Sequence, residues 1–215
     1  MTVRGLSPWE SLEPRSATAF FVGGLLWLLD TTLLGAELFA GVSVLGTPGP
    51  LNPTLYISGT IAACVGLLGF YPGVADRAPW TARVSGGVVG VAGAAVLSLL
   101  LWFVAATISN QPDPPFVLLI LGILGVALGF VLFGIAGVRT GVPSRTVGLL
   151  LLAVVATIVG WLALGLVVYG GTPPDWTSPA VGVVMSGLLL VIGGTLRSAP
   201  FHASREDPTP DSAAR

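Results

Sequence analysis

The arginines of this chain are confined to alternate connections between six long apolar segments, and the chain contains no lysine. Two arginines precede the first segment, two separate the second from the third, two separate the fourth from the fifth, and three follow the sixth. The other three connections contain no basic residue. Since basic residues concentrate in the cytoplasmic loops of membrane proteins, this pattern predicts six crossings with both chain ends in the cytoplasm.

The composition favours a membrane protein over a soluble one. Only 9% of the 215 residues are charged, 53% are hydrophobic, and the mean hydropathy is +0.92. An average soluble domain has about 25% charged residues, so this chain has too few to cover a soluble core. Backbone groups inside a bilayer must bond within their own segment, which favours helices. We therefore predict an all-α membrane protein with spans at about 17–45, 54–71, 84–108, 116–138, 146–169 and 179–196.

The six segments read as three consecutive helical hairpins. Nine of the 17 prolines lie in or beside the three connections that lack arginine, where proline ends one helix and suits the first turn of the next. The arginines also repeat, because Arg77 and Arg83 have the same six-residue spacing as Arg139 and Arg145. Internal duplication would explain this likeness, and so would the ordinary composition of short membrane hairpins. Both explanations stay open.

Two terminal segments flank the predicted membrane domain of residues 16–197. Residues 1–15 form a cytoplasmic segment, read either as a short interfacial helix around Trp9 or as an unstructured leader. The apolar run that follows is longer than the core of a signal peptide, so we expect the first span to be retained. Residues 198–215 are polar and rich in proline, which predicts a flexible cytoplasmic tail.

Small residues recur every fourth position in several of the predicted spans. Lipid chains are as apolar as leucine, so helices in a bilayer associate by close backbone approach, which small residues permit. Glycines that mark hinges or unwound substrate sites are the alternative. The spacing favours a tightly packed bundle without a wide pore, and the motifs are Gly86-xxx-Gly90-xxx-Ala94, Gly125-xxx-Gly129 and Gly182-xxx-Ser186.

Asp30 and Glu37 are the ionisable residues within the predicted spans. They are seven residues apart, so on a continuous helix they face the same direction about 10.5 Å apart along the axis. No arginine lies in a span to pair with Asp30, and loss of water favours the neutral acid or a bound cation. With the hydroxyl of Thr31, these acids predict a proton or cation site. The alternative is that Asp30 is a neutral acid bonded between helices and that Glu37 reaches the outer headgroups.

The remaining reactive residues exclude several classes of protein. His202 is the single histidine and lies in the tail, which excludes paired-histidine haem ligation and a zinc protease with an H-E-x-x-H motif. The absence of lysine excludes a Schiff base and a phosphate-binding Walker motif. Cys64 is the single cysteine, so no intramolecular disulfide can form. We predict no enzymatic activity, no cofactor, no metal site and no binding of nucleic acid.

The sequence leaves two main functional hypotheses, and a membrane enzyme, which would need a water-filled cleft joining Asp30 to other polar groups, is a disfavoured third. The first is a non-catalytic structural, accessory or partner-binding protein of the cell membrane, surrounded by lipid and associated with a second copy of itself or with another membrane protein. The second is a small proton- or cation-coupled transporter or channel that uses Asp30 and Glu37. A transporter requires a polar cavity that reaches Asp30. An accessory protein requires either that Asp30 is sealed by packing or that small residues face the lipid.

Overall fold

The computed structural model describes residues 12–41, 51–109, 114–171 and 173–198. Within these ranges the structure is helical and contains no strand. After a short 3-10 turn at Glu13–Arg15, the helices are α1 (Ser16–Ala40), α2 (Leu51–Leu68), α3 (Tyr71–Arg77), α4 (Pro79–Ser109), α5 (Phe116–Thr140), α6 (Arg145–Val168) and α7 (Thr177–Ser198). Six helical segments are long and apolar enough to cross a membrane, with α2 and α3 forming one of them. The predicted helical class is confirmed, and so is the expectation of six helical segments able to span a membrane.

The six segments form a closed ring of helices. Each packs against its neighbours in the chain, and α1 also packs extensively against α7. Neighbouring helices are antiparallel: Gly23 approaches Gly59 at the contact of α1 with α2, and Gly193 approaches Ala17 at the contact of α7 with α1. Contacts therefore continue from each hairpin to the next, as well as within it. The division into three hairpins stays a prediction.

The interior of the ring is apolar, and much of its outer surface is apolar too. Phe20 stacks on Phe70 with 5.5 Å between ring centroids, and Phe70 meets Phe133 edge-on at 6.3 Å. Large side chains such as Phe116 and Val167 are exposed by 71% and 83%. A soluble protein rarely exposes contiguous apolar surface on this scale. The surface suits a bundle surrounded by lipid.

The first span ends earlier than the sequence predicts. We expected it to reach residue 45, but α1 ends at Ala40. Gly41 has a positive φ of 61° and donates its backbone N–H to the carbonyl of Glu37 at 3.2 Å. This left-handed glycine is a common way to end a helix. Residues 42–50 lie outside the described ranges.

The second span is longer than predicted and is broken just before its last seven residues. Instead of ending at residue 71, it continues through α3 to Arg77. Proline at position 72 has no N–H for the carbonyl of Leu68, and its ring would clash with that carbonyl in a continuous helix. The α2 helix accordingly ends at Leu68, and residues 69–70 form a turn. The third span begins at Pro79, so Arg83 lies on α4 rather than in the connection before it.

The last three spans agree closely with the predicted boundaries. The observed helices α5, α6 and α7 begin and end within two residues of the expected positions. The predicted interfacial helix around Trp9 lies outside the described ranges, and so does the tail beyond Ser198.

Two of the three small-residue motifs pack inside the bundle. Gly125 and Gly129 of α5 lie against Ala92 and Val89 of α4, so a methyl group at either glycine would meet them. Gly182 of α7 lies against Thr31 of α1 in the same way. The prediction of close helix packing is confirmed for these motifs.

The third motif behaves differently, because only its first member packs within the chain. Gly86 lies against the ring of Tyr71. Gly90 has no atom within 4 Å of where a Cβ would stand, and Ala94 is exposed. The expectation that this motif joins helices of the same chain is therefore wrong beyond Gly86.

The described arginines gather at one end of the bundle. Arg77, at the end of α3, donates from its guanidinium to the carbonyl of Thr140 at the end of α5. The guanidinium of Arg197 lies 5.1 Å from the centre of the Phe21 ring, near the start of α1. Arg139 and Arg145 flank the short α5–α6 turn at the same end. The packing thus brings together in space the residues that the sequence assigned to one side of the membrane.

Candidate functional site

Asp30 lies just past the midpoint of α1, on the side that faces α2. Its side chain is half-buried. It lies near enough to Tyr56 of α2 to act on it electrostatically. The arginines of the described ranges lie at the ends of helices, so the acid sits far from the basic end of the bundle.

Tyr56 joins Asp30 to an aromatic cluster at the contact of α1 with α2. The rings of Trp27 and Tyr56 stack with 5.4 Å between centroids and only 7° between planes. The indole Nε1 of Trp27 donates to the backbone carbonyl of Tyr56 at 3.1 Å. The hydroxyl of Thr60 donates to the same carbonyl at 2.8 Å. The indole N–H of Trp27 and the hydroxyl of Thr60 therefore both donate to the same backbone carbonyl.

The three residues of the predicted proton or cation site do not converge. Glu37 is half-buried near the end of α1, and the unbroken helix places it on the same side as Asp30, about 10.5 Å away along the axis. Thr31 is buried and points instead at Gly182 of α7. The predicted spacing of the two acids agrees with the structure, whereas Thr31 belongs to a different helix contact.

A cavity of about 230 Å³ lies inside the ring of helices, and all six spans contribute to its walls. Its inner wall includes Phe130 and Val154, which are almost completely buried. Tyr56, Leu119 and Ile123 also line the cavity, although each is more than a third exposed. These three residues form the rim. The cavity extends from the rim, near the ends of the helices, to about the middle of the bundle.

The lining of this cavity is almost entirely hydrocarbon. Its side-chain polar groups belong to Trp27, Tyr56 and Thr60, and the donors of Trp27 and Thr60 are already used on a carbonyl. Asp30 and Glu37 are not among the lining residues. Within the described ranges, every buried side-chain N or O atom has a hydrogen-bond partner. The lining of the cavity therefore favours an apolar ligand.

Helices α5 and α6 form a V that is closed at the arginine end. A Cβ at Gly148 of α6 would lie 2.6 Å from the backbone N of Val138 and 2.8 Å from the carbonyl O of Gly134, both on α5. Towards the other end, most residues of 116–124 on α5 and of 159–168 on α6 are exposed. The arms of the V therefore stand apart at the depth where Leu119 and Ile123 line the cavity.

Several small residues that do not pack within the chain lie in one stripe on α4, and Gly160 of α6 and Gly187 and Gly194 of α7 are open as well. We call Gly87, Gly90, Ala94 and Ser98 the outer face of α4. All four are exposed, and a Cβ at either glycine would meet nothing within 4 Å. The hydroxyl of Ser98 donates to the carbonyl of Ala94 at 2.8 Å, so it is used within the helix. The outer face of α4 therefore consists of small residues that no other described part of the chain covers.

In the described ranges, no three of His, Cys, Asp and Glu lie close enough together to hold a metal ion. Comparisons with protein-family models, with curated proteins and with solved structures found no match for this chain. The assignment of function therefore depends on the geometry of the chain itself.

The cavity and the outer face of α4 were not recognised from the sequence. The cavity walls come from residues as distant as Trp27 and Met185, and nothing in the sequence indicates that they meet. The outer face could be seen as a motif, but its spacing does not distinguish a contact within the chain from one outside it.

Proposed function

We propose that this chain is a non-catalytic structural protein of the cell membrane that associates with a second copy of itself through the outer face of α4. Both chain ends and the arginine end of the bundle lie in the cytoplasm. The observation that carries the proposal is the contrast between glycines packed inside the bundle and those left open on α4. What distinguishes α4 from the other helices with an open glycine is that its two open glycines continue into exposed Ala94 and Ser98, so that a second helix could approach closely along several turns.

A second copy suits this face better than other occupants. Transmembrane helices associate where small residues let two backbones approach closely, and a stripe of them can pack against its own copy across a two-fold axis. Gly90 and Ala94 lie near the middle of α4, so such an axis would pass through the bilayer interior. Because the Ser98 hydroxyl is used within its own helix, the face offers no polar group that would require a different partner.

We expect Gly90→Leu to weaken self-association at least tenfold, which corresponds to about 1.4 kcal/mol. A leucine there would hold the two backbones apart. The measurement is energy transfer between donor- and acceptor-labelled chains in phosphatidylcholine vesicles at several protein-to-lipid ratios. Gly160→Leu on α6 is the matched control, because Gly160 is equally open but lies on another helix. It should leave energy transfer unchanged.

Two outcomes would contradict self-association through α4. One is wild-type energy transfer no greater than that of randomly distributed chains, which would leave a different membrane protein as the partner. The other is energy transfer that Gly90→Leu does not reduce, which would place the contact on another face of the bundle.

Coupled transport is the second candidate, and one observation favours it. Asp30 lies near Tyr56, which lines the rim of the cavity. Against it stands the lining of the cavity, which is apolar and does not include either acid. A proton or cation crossing hydrocarbon without polar partners would pay a large desolvation cost. This geometry supports the structural role over the transporter.

We expect wild-type protein and Asp30→Asn to dissipate a pH gradient across proteoliposomes at the same rate as protein-free vesicles. Asparagine keeps the size of the side chain but cannot take part in proton exchange. The measurement is the fluorescence of a pH-sensitive dye trapped in the vesicles, with thermal unfolding as the check on folding. Faster flux by the wild type that Asp30→Asn abolishes, with folding intact, would favour the transporter.

A further inference from the structure

We infer that the cavity inside the ring is a binding site for one hydrocarbon chain, supplied by a lipid of the surrounding membrane. This inference goes beyond the proposed self-association, because the cavity lies inside the ring and the outer face of α4 lies on its outside. Three properties of the cavity support this: its size, the chemistry of its walls and its access to the bilayer.

The cavity is too large to be an ordinary packing defect. Protein interiors are close-packed, and few of their voids exceed the size of a water molecule. At about 230 Å³ this cavity exceeds the roughly 150 Å³ apolar cavity that accepts a benzene molecule. Phe130, Val154 and Leu99 of its walls are almost fully buried in the described structure, so they hold their positions by contact with neighbouring helices. The space is built into the bundle.

The chemistry of the walls selects an apolar occupant. A buried water needs two to four polar partners, whereas here the donors of Trp27 and Thr60 are already bonded to the carbonyl of Tyr56, and the third polar side chain, Tyr56 itself, lies at the exposed rim. A polar or charged ligand would lose its hydration without replacement. A saturated or unsaturated hydrocarbon chain needs no hydrogen bond, and it can follow an irregular space by rotation about its own bonds.

The arms of the α5–α6 V give such a chain a route from the bilayer. Ile123 lines the cavity while 56% of its side chain is exposed, and Leu119 lines it while 38% is exposed. Ile123 lies seven residues into α5, about 10.5 Å along the helix axis. That depth is within the hydrocarbon layer if α5 spans the membrane. A lipid tail can therefore enter sideways without leaving an apolar environment.

Trp27 provides a direct test, because it lines the cavity and only 5% of its side chain is exposed. We would keep Trp27 as the single tryptophan by replacing the others with phenylalanine, namely Trp9, Trp80, Trp102, Trp161 and Trp176. The protein is then placed in vesicles of dioleoylphosphatidylcholine or of its analogue brominated along the acyl chains. Bromine quenches tryptophan only at short range. We expect clear quenching of Trp27 in the brominated vesicles.

Two alanine-to-leucine variants separate a chain in the cavity from lipid outside the bundle. Ala127 lines the cavity, so Ala127→Leu should fill part of it and remove at least half of the quenching. Ala163 is exposed on α6 and does not line the cavity, so Ala163→Leu should leave the quenching unchanged. Ile158→Phe narrows the cavity from another helix and gives an independent variant if Ala127→Leu does not fold.

A second set of vesicles identifies the source of the chain. Brominated stearic acid is added to unbrominated phosphatidylcholine, so quenching there reports a free fatty acid rather than a phospholipid tail. Quenching in either set that the cavity-filling variants reduce supports the site. Absence of quenching in both sets, or quenching that no filling variant reduces, would overturn it. Neither result depends on self-association. Gly90→Leu, added to the single-tryptophan protein, should leave the quenching of Trp27 unchanged.

Discussion

Gly148→Ala is expected to destabilise the bundle by about 1–3 kcal/mol or more, the range for overpacked cores. The added methyl group would lie within 3 Å of backbone atoms of Val138, Gly134 and Gly137 on α5. Backbone atoms of a helix cannot move aside as a flexible side chain can, so α5 and α6 would have to separate. This contact is the closed point of the V, and Gly148→Leu should prevent the two helices from packing at all.

Gly160→Ala on the same helix is the matched control. A Cβ at Gly160 meets nothing within 4 Å, so alanine should leave stability unchanged or raise it by up to about 1 kcal/mol through its higher helix propensity. Both free energies of unfolding can be measured by titration with dodecyl sulfate in mixed micelles, followed by circular dichroism. Equal effects of the two substitutions would show that α5 and α6 do not cross at Gly148.

We expect a cysteine at one end of the bundle to be labelled completely from outside the cell and a cysteine at the other end not to be labelled, which tests the orientation of the bundle in the membrane. Starting from Cys64→Ala, cysteine is introduced at exposed Thr146, beside the arginine-rich turn, or at exposed Asp175, before α7. In intact cells a membrane-impermeant maleimide should label Asp175→Cys fully. It should label Thr146→Cys only after the membrane is permeabilised, since arginine-rich turns are retained in the cytoplasm.

The labelling result bears directly on the number of crossings. If both cysteines react from outside in intact cells, the two ends of α6 lie on the same side of the bilayer, and α6 does not cross it. If only Thr146→Cys reacts, the whole bundle is inverted, and the arginines do not report the cytoplasmic side.

The ends of a helix were predictable where a long apolar run stops at an arginine or a proline. The ends of α5, α6 and α7 coincide with arginine or proline next to long apolar runs, and they agree with the prediction. The run after Gly41 stays apolar, so the sequence alone placed the end of α1 too late. Pro72 was a visible signal for the break in the second span, because its position four residues after Leu68 removes a helix hydrogen bond.

The candidate site was predictable only as far as one helix determines it. The two-turn spacing of Asp30 and Glu37 follows from continuous α1. The direction of Thr31 depends on α7, and the stacking of Tyr56 on Trp27 depends on α2. Such contacts are set by which helices become neighbours. For the same reason the motifs at Gly125 and at Gly86 look alike in sequence, yet one packs fully inside the bundle and the other does so only at its first residue.

The contact of α1 with α7 has a consequence for biogenesis. The first of the six described spans, α1, has its most extensive partner in the last of them, α7. Until α7 leaves the ribosome, the groove on α1 that receives it, around Gly24 and Thr31, stays open to lipid or to an insertion factor. The bundle therefore closes only after α7 has been made, and a chain truncated before α7 would leave this surface of α1 without its partner.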